Sequence, residues 1–88
     1  MSFVVASQVC DADEFNEVRN RLPQRRRRQV PTVPPGHLGL IVQAVSVDDC
    51  PLRTVYGNVP ATADPSAALD GLERELRQSM GDAGDRGR

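Results

Sequence analysis

The residues with the clearest capacity for chemistry are four consecutive arginines, Arg25, Arg26, Arg27 and Arg28. Adjacent guanidinium groups repel one another, and each presents a planar fork of donors that suits a carboxylate or a phosphate. The formal net charge of the whole chain is −1, so attraction to an anion has to be local to this run. The run therefore needs either solvent or an anionic partner.

Three interpretations of the run are open. It is a solvated loop whose charge is offset by acids elsewhere (Asp11, Asp13, Glu14 and Glu17), a site for nucleic-acid phosphates, or a docking site for a protein. Aromatic residues make up only 3% of the chain, which leaves few side chains to stack on bases. We expect a small regulatory or accessory protein that binds a protein partner, with a nucleic-acid-binding regulator as the alternative.

The run continues into a short proline pattern. Arg28, Pro31 and Pro34 match Arg-x-x-Pro-x-x-Pro, a spacing that suits a polyproline II segment in an aromatic-lined groove. The predicted partner-binding residues are therefore the four arginines together with Pro31 and Pro34.

Catalytic and metal-binding patterns give a weaker signal. The sequence has no glycine-rich phosphate loop, no Cys-x-x-Cys and no His-Glu-x-x-His, so we expect no enzyme activity and no cofactor. Cys10 and Cys50 could form a redox pair or hold a metal, which is a third and weaker function class. His37 is the only histidine, and we expect it to be exposed at the junction of a loop and a strand.

Hydrophobic spacing predicts the elements that position these residues. Strands are expected at 2–9, 38–47 and 52–56, because these segments are rich in valine, isoleucine and leucine. The segment 11–22 is expected to form a helix that starts at a possible capping box and ends before a proline, and 64–80 a helix with a leucine stripe. The apolar run in the second strand predicts a central position in the sheet.

These elements give the order β-α-β-β-α and an α+β fold. We expect one domain over residues 1–80, with a three-stranded sheet, both helices on one face, a long loop at 23–37 and a flexible tail at 81–88. The chain has 88 residues, so its core is small and a homodimer would help to stabilise it. The leucine stripe of the last helix is a candidate dimer seam, although such a stripe is more often core.

A parallel arrangement of the first two strands would place acidic and basic residues on opposite rims of the sheet. Cys10, Asp11 and Asp13 would then share one rim of the sheet with the turn at 48–50, which contains Cys50. The arginine run and His37 would lie on the opposite rim. No bilayer-length apolar segment and no secretory signal are visible, so we expect a cytoplasmic protein that does not contact membranes.

Overall fold

A computed structural model describes the backbone of residues 3–85 and the side chains of residues 3–80. The chain forms three strands and three helices, and their bounds follow in chain order. They are β1 (Phe3–Asp11), α1 (Ala12–Asn20), α2 (Gln24–Arg27), β2 (His37–Ser46), β3 (Pro51–Pro60) and α3 (Pro65–Asp85). The α+β class is confirmed, and the structure adds the short helix α2 to the segment predicted as a loop.

The three strands form an antiparallel sheet in the order β1-β2-β3. The prediction that β2 is central is confirmed. In the register of β1 and β2, Cys10 lies opposite Gly39 and Phe3 lies opposite Ser46. The end of β1 therefore meets the beginning of β2, whereas Cys50 follows the far end of β2.

This register makes the predicted arrangement of rims wrong. Cys10 lies at the end of the sheet where His37 begins β2, and it packs against Val30 and Val33. These two valines belong to residues 24–34, which we call the arginine segment. Cys50 lies in the turn at the opposite end. The connection between β1 and β2 is long enough to allow either a parallel or an antiparallel β2, so its length does not determine the direction of β2 relative to β1.

The helices cover different faces of the sheet. Val42 and Ala44 project toward α3, where they form a core with Leu76. Successive strand residues point to opposite faces, so Ile41 projects to the other side, where it packs against the cluster that contains Phe15 of α1. The fold thus differs from the predicted one, in which both helices share a face, because alternate residues of β2 are apolar on both sides. We call these two sides the α3 face and the α1 face.

Helix α1 is fitted closely to the α1 face. Phe15 is 2% exposed and meets the Tyr56 ring edge to face at a centroid distance of 6.0 Å. A Cβ atom added to Gly39 would lie 2.3 Å from the Phe15 ring, so the aromatic ring occupies the space that any larger residue would fill. Asp11 is the N-cap residue of α1, but its side chain makes no capping hydrogen bond.

Helix α3 begins as the sequence predicts. The Asp64 carboxylate accepts a hydrogen bond from the Ser66 backbone N–H at 3.0 Å, and Pro65 is the first helical residue. This hydrogen bond lowers the pKa of Asp64.

The apolar stripe of α3 packs on the chain's own sheet. Leu76 is fully buried, and Leu69, Leu72 and Met80 pack against the same core. The stripe is therefore part of the monomer core, which is the more common role for such a pattern, and not a dimer seam. The helix continues past Gly81 to Asp85, and residues 86–88 of the predicted tail lie outside the described residues. Within residues 3–85 no helix has the length and apolar character needed to cross a bilayer.

Candidate partner-docking site

Arg25, Arg26 and Arg27 lie in the single helical turn α2, and Arg28 is its C-cap residue. Pro23 is its N-cap residue, and the Pro23 carbonyl accepts hydrogen bonds from the N–H groups of Arg26 at 3.0 Å and Arg27 at 2.9 Å. Arginine is a good helix former, and Pro23 has no N–H group of its own to leave unpaired at the start of the turn. The four guanidinium groups are thus fixed to a defined backbone rather than to an irregular loop.

Two valines attach this segment to the core. Val30 is 4% exposed and Val33 is 3% exposed, and both pack in the cluster with Cys10 and Phe15. Burial of a valine side chain contributes about 1.5–3 kcal/mol. These two side chains therefore hold residues 30–33, which follow α2, against the α1 face.

Polar side chains of α1 fix the backbone of the same stretch. The Asn16 side chain donates to the Val33 carbonyl at 3.0 Å and accepts from the Val33 N–H at 2.9 Å. The Arg19 Nε–H donates to the Val30 carbonyl. Asn16 and Arg19 are three residues apart on α1 and so lie on one face of the helix. Both anchors were missed in the sequence, which gives no sign of which distant backbone groups they bind.

The guanidinium groups of the run differ in exposure. Arg25, Arg26 and Arg28 are exposed, whereas Arg27 is half-buried and its Nε atom is buried without a hydrogen-bond partner. Among the side chains of residues 3–80, ion pairs join only Arg21 to Glu17 and Arg77 to Glu73. None of the four arginines of the run is therefore neutralised by a described carboxylate.

A groove lies between the arginine segment and the edge strand β3. Its volume is about 230 Å³, and its lining residues are Arg26, Gln29, Val30, Thr54, Val55, Tyr56 and Glu75. A second, more open depression is lined by Gln24, Arg25, Arg28 and Gln29. The exposed arginines thus border two shallow surfaces, which suit the rim of a macromolecular interface better than an enclosed small-molecule site.

The proline pattern is only partly available to a reader domain. Pro31 and Pro34 are exposed, but Val30 and Val33, which precede them, face the core. A polyproline II helix has three residues per turn and therefore three ridges. One of these ridges is occupied here by the core contacts, so a groove that surrounds the segment would have to detach it. The arginines of α2 are free of this restriction.

The other predicted site residues are not brought together. Cys10 is buried and Cys50 is exposed, both are free thiols, and they lie at opposite ends of the sheet. Burial raises the pKa of the Cys10 thiol, and the nearby charges of Glu14 and Asp11 raise it further. No group of three metal-ligating side chains occurs within the part of the chain that the structure describes. The structure therefore does not bring Cys10 and Cys50 together, as a redox pair or a shared metal site would require.

His37 lies at the start of β2, on the α1 face. Its backbone N–H donates to the Pro34 carbonyl at 3.2 Å. The residue is half-buried rather than exposed, and Nδ1 is buried without a hydrogen-bond partner. This position connects the arginine segment to the sheet.

Comparison of the chain with protein-family models, with curated proteins and with solved structures finds no match. Its function is therefore inferred from its own residues.

Proposed function

We propose that this chain is a non-enzymatic regulatory or accessory protein that docks onto an acidic surface of a protein partner. The contact residues are Arg25, Arg26 and Arg28, with the exposed Pro31 and Pro34 beside them. One observation supports this proposal above the others: the three exposed arginines have no described carboxylate partner and are held on a turn that is anchored to the core.

Anchoring makes these arginines suitable for binding. An interface side chain loses about 0.5–1.5 kcal/mol of conformational entropy when it is immobilised, and a mobile loop adds further ordering costs. Here the backbone of the segment is already fixed by Asn16, Arg19, Val30 and Val33. A partner therefore has to order only the outer atoms of the arginine side chains.

A protein partner fits better than a single-stranded nucleic acid. The aromatic residues are Phe3, Phe15 and Tyr56. Phe15 is buried, and Phe3 and Tyr56 are half-buried and pack against core clusters. Tyr56 borders the groove beside Arg26, but its ring is half-buried and packs edge to face with Phe15, so the arginine run has one partly covered ring beside it where single-stranded binders stack successive bases on several. Carboxylates on a folded surface need only the guanidinium forks.

The test compares two triple variants of equal charge. In the first, Arg25, Arg26 and Arg28 are changed to glutamine. In the second, Arg21, Arg53 and Arg74 are changed to glutamine, since these are also exposed but lie outside the arginine segment. Wild type and both variants are used to capture proteins from nuclease-treated extract of the source cells, and affinity for the captured protein is then measured with purified components.

We expect the first variant to lose at least about tenfold in affinity and the second to retain the affinity of wild type within a factor of about two. Equal retention by both variants would refute the proposal. Capture that occurs only from a parallel extract without nuclease treatment, together with binding of a labelled duplex that falls steeply with salt, would instead support the nucleic-acid alternative.

A further inference from the structure

The outer edge of β1 is unpaired. β1 is at one side of the sheet and pairs only with β2. Among the described residues no backbone group beyond β2 bonds to residues 3–10. Half of the N–H and C=O groups of this strand therefore point outward. Such an edge is a template for another strand unless it is protected.

Except at its last residue, Asp11, β1 has no such protection. From Phe3 to Cys10 the strand contains no charged residue and no proline. Two of its valines are exposed, Val4 at 59% and Val9 at 42%. The opposite edge strand, β3, begins and ends with proline and carries the exposed Arg53. Charges and prolines are the usual means of blocking an edge; β3 has a proline at each end and Arg53 within it, whereas β1 has only Asp11, at its last position.

We infer that β1 pairs with β1 of a second copy of this chain, antiparallel, to form a continuous six-stranded sheet. A strand is complementary to itself in this arrangement, because a two-fold axis perpendicular to the sheet reverses its direction and keeps each face on the same side. Ser7 is the middle residue of β1 (Phe3–Asp11), so an axis at Ser7 overlaps all nine residues. Val5 then lies opposite Val9 of the second copy on the α3 face, and both exposed Val9 side chains become covered.

The position of the arginines favours the β1 edge over the β3 edge for self-association. The arginine segment packs against Cys10 of β1 through Val30 and Val33, but its Arg26 lies near β3, since Arg26 lines the groove with Thr54 and Tyr56. In the six-stranded sheet the two β3 strands are five strand intervals apart, which is about 24 Å. That separation is about three Debye lengths at physiological salt, so the two Arg26 side chains repel one another only weakly. The dimer leaves both clusters free to bind partners.

The first test uses a charge at the proposed axis. Ser7 is exposed, so Ser7→Lys leaves the monomer core intact and places two lysines opposite each other in the dimer. Asn58→Lys adds the same charge at an exposed position of β3. In sedimentation equilibrium between about 1 μM and 1 mM, wild type and the Asn58 variant are expected to shift from monomer to dimer, and the Ser7 variant to associate at least about tenfold more weakly.

The second test locates the axis. With Cys50→Ser as background, Ser7→Cys places two thiols directly opposite each other. Their Cα atoms would be about 4.5–5.5 Å apart, within the range of about 4.4–6.8 Å that a disulfide spans. We expect the Ser7→Cys variant to form disulfide-linked dimers rapidly under mild oxidation. The Val47→Cys variant is expected to form none, although Val47, in the β2–β3 turn, is 74% exposed.

Three results would overturn the inference. They are a wild-type protein that stays monomeric throughout this range, equal association of the Ser7→Lys and Asn58→Lys variants, or equal cross-linking from positions 7 and 47. A persistent monomer would leave the edge to a strand from another protein. Loss of the three exposed arginines is expected to leave dimerisation unchanged, so this inference and the proposed function fail independently.

Discussion

Replacement of Asn16 by alanine tests whether the arginine segment is anchored as the structure indicates. The substitution removes two hydrogen bonds to the Val33 backbone, at 2.9 and 3.0 Å. Each neutral hydrogen bond contributes about 0.5–1.5 kcal/mol net, so the expected loss of unfolding free energy is about 1–3 kcal/mol. For a domain of this size, each kcal/mol of lost unfolding free energy lowers Tm by about 4–8 °C.

The matched control is Asn20→Ala. Asn20 is exposed at the end of the same helix, and its side chain makes no hydrogen bond in the described structure. Alanine raises helix propensity in both variants, so the difference between them largely isolates the contacts to Val33. The assays are urea unfolding and hydrogen exchange of the Val33 amide, for which we expect exchange about 5- to 150-fold faster in the Asn16 variant.

A difference in stability below about 0.5 kcal/mol between the two variants, with unchanged exchange at Val33, would refute the reasoning. It would mean that Val30 and Val33 hold the segment through burial alone. The preorganisation of the arginines would then not depend on α1.

Two further predictions concern packing and capping. Gly39→Ala is expected to lower the unfolding free energy, measured by urea titration, by about 1–3 kcal/mol, because the new methyl group collides with Phe15. Gly71→Ala is the control, because Gly71 lies on α3 with open space around it. This variant is expected to raise the unfolding free energy by about 0.5–1 kcal/mol in the same titration. Asp64→Ala is expected to lower Tm at pH 7 and to have less effect as the pH falls below the ordinary carboxyl range, because the Ser66 N–H stabilises the charged form and lowers the pKa.

The outcomes that would contradict these predictions are specific. A Gly39→Ala protein as stable as wild type would show that Phe15 moves at no cost. The control for the cap is Asp64→Asn, which retains a capping oxygen but no titratable group. If the Tm of this control falls with acid as steeply as that of wild type, the pH dependence arises elsewhere.

The central strand shows how far residue pattern alone predicts this fold. Leu40, Ile41 and Val42 form an apolar run, which predicts burial on both sides and a central position. The structure confirms the central position. The same run requires a covering element on each face of the sheet, whereas the predicted fold has both helices on one face. Successive residues of β2 point to opposite faces and are apolar on both, which places one helix on each side.

The direction of the first two strands could not be predicted. Residues 12–36 connect them and include a helix, and such a connection can return the chain parallel or antiparallel. The antiparallel register depends on contacts between distant residues, among them Phe15 with Gly39. These contacts decided that Cys10 and Cys50 lie at opposite ends of the sheet, and they removed the site that a parallel pairing would have created.

The sequence by itself determined the α+β class, the central strand, the cap of α3 and the location of a local cationic segment, since each depends on neighbouring residues. Only the tertiary structure decided how that segment is presented. Burial of Val30 and Val33 and the hydrogen bonds from Asn16 and Arg19 join residues that are far apart in the chain. They turn an arginine-rich loop into an anchored turn with three exposed guanidinium groups that no carboxylate within residues 3–80 neutralises. Local propensity does not encode this result, because it depends on the packing of residues that are distant in the sequence.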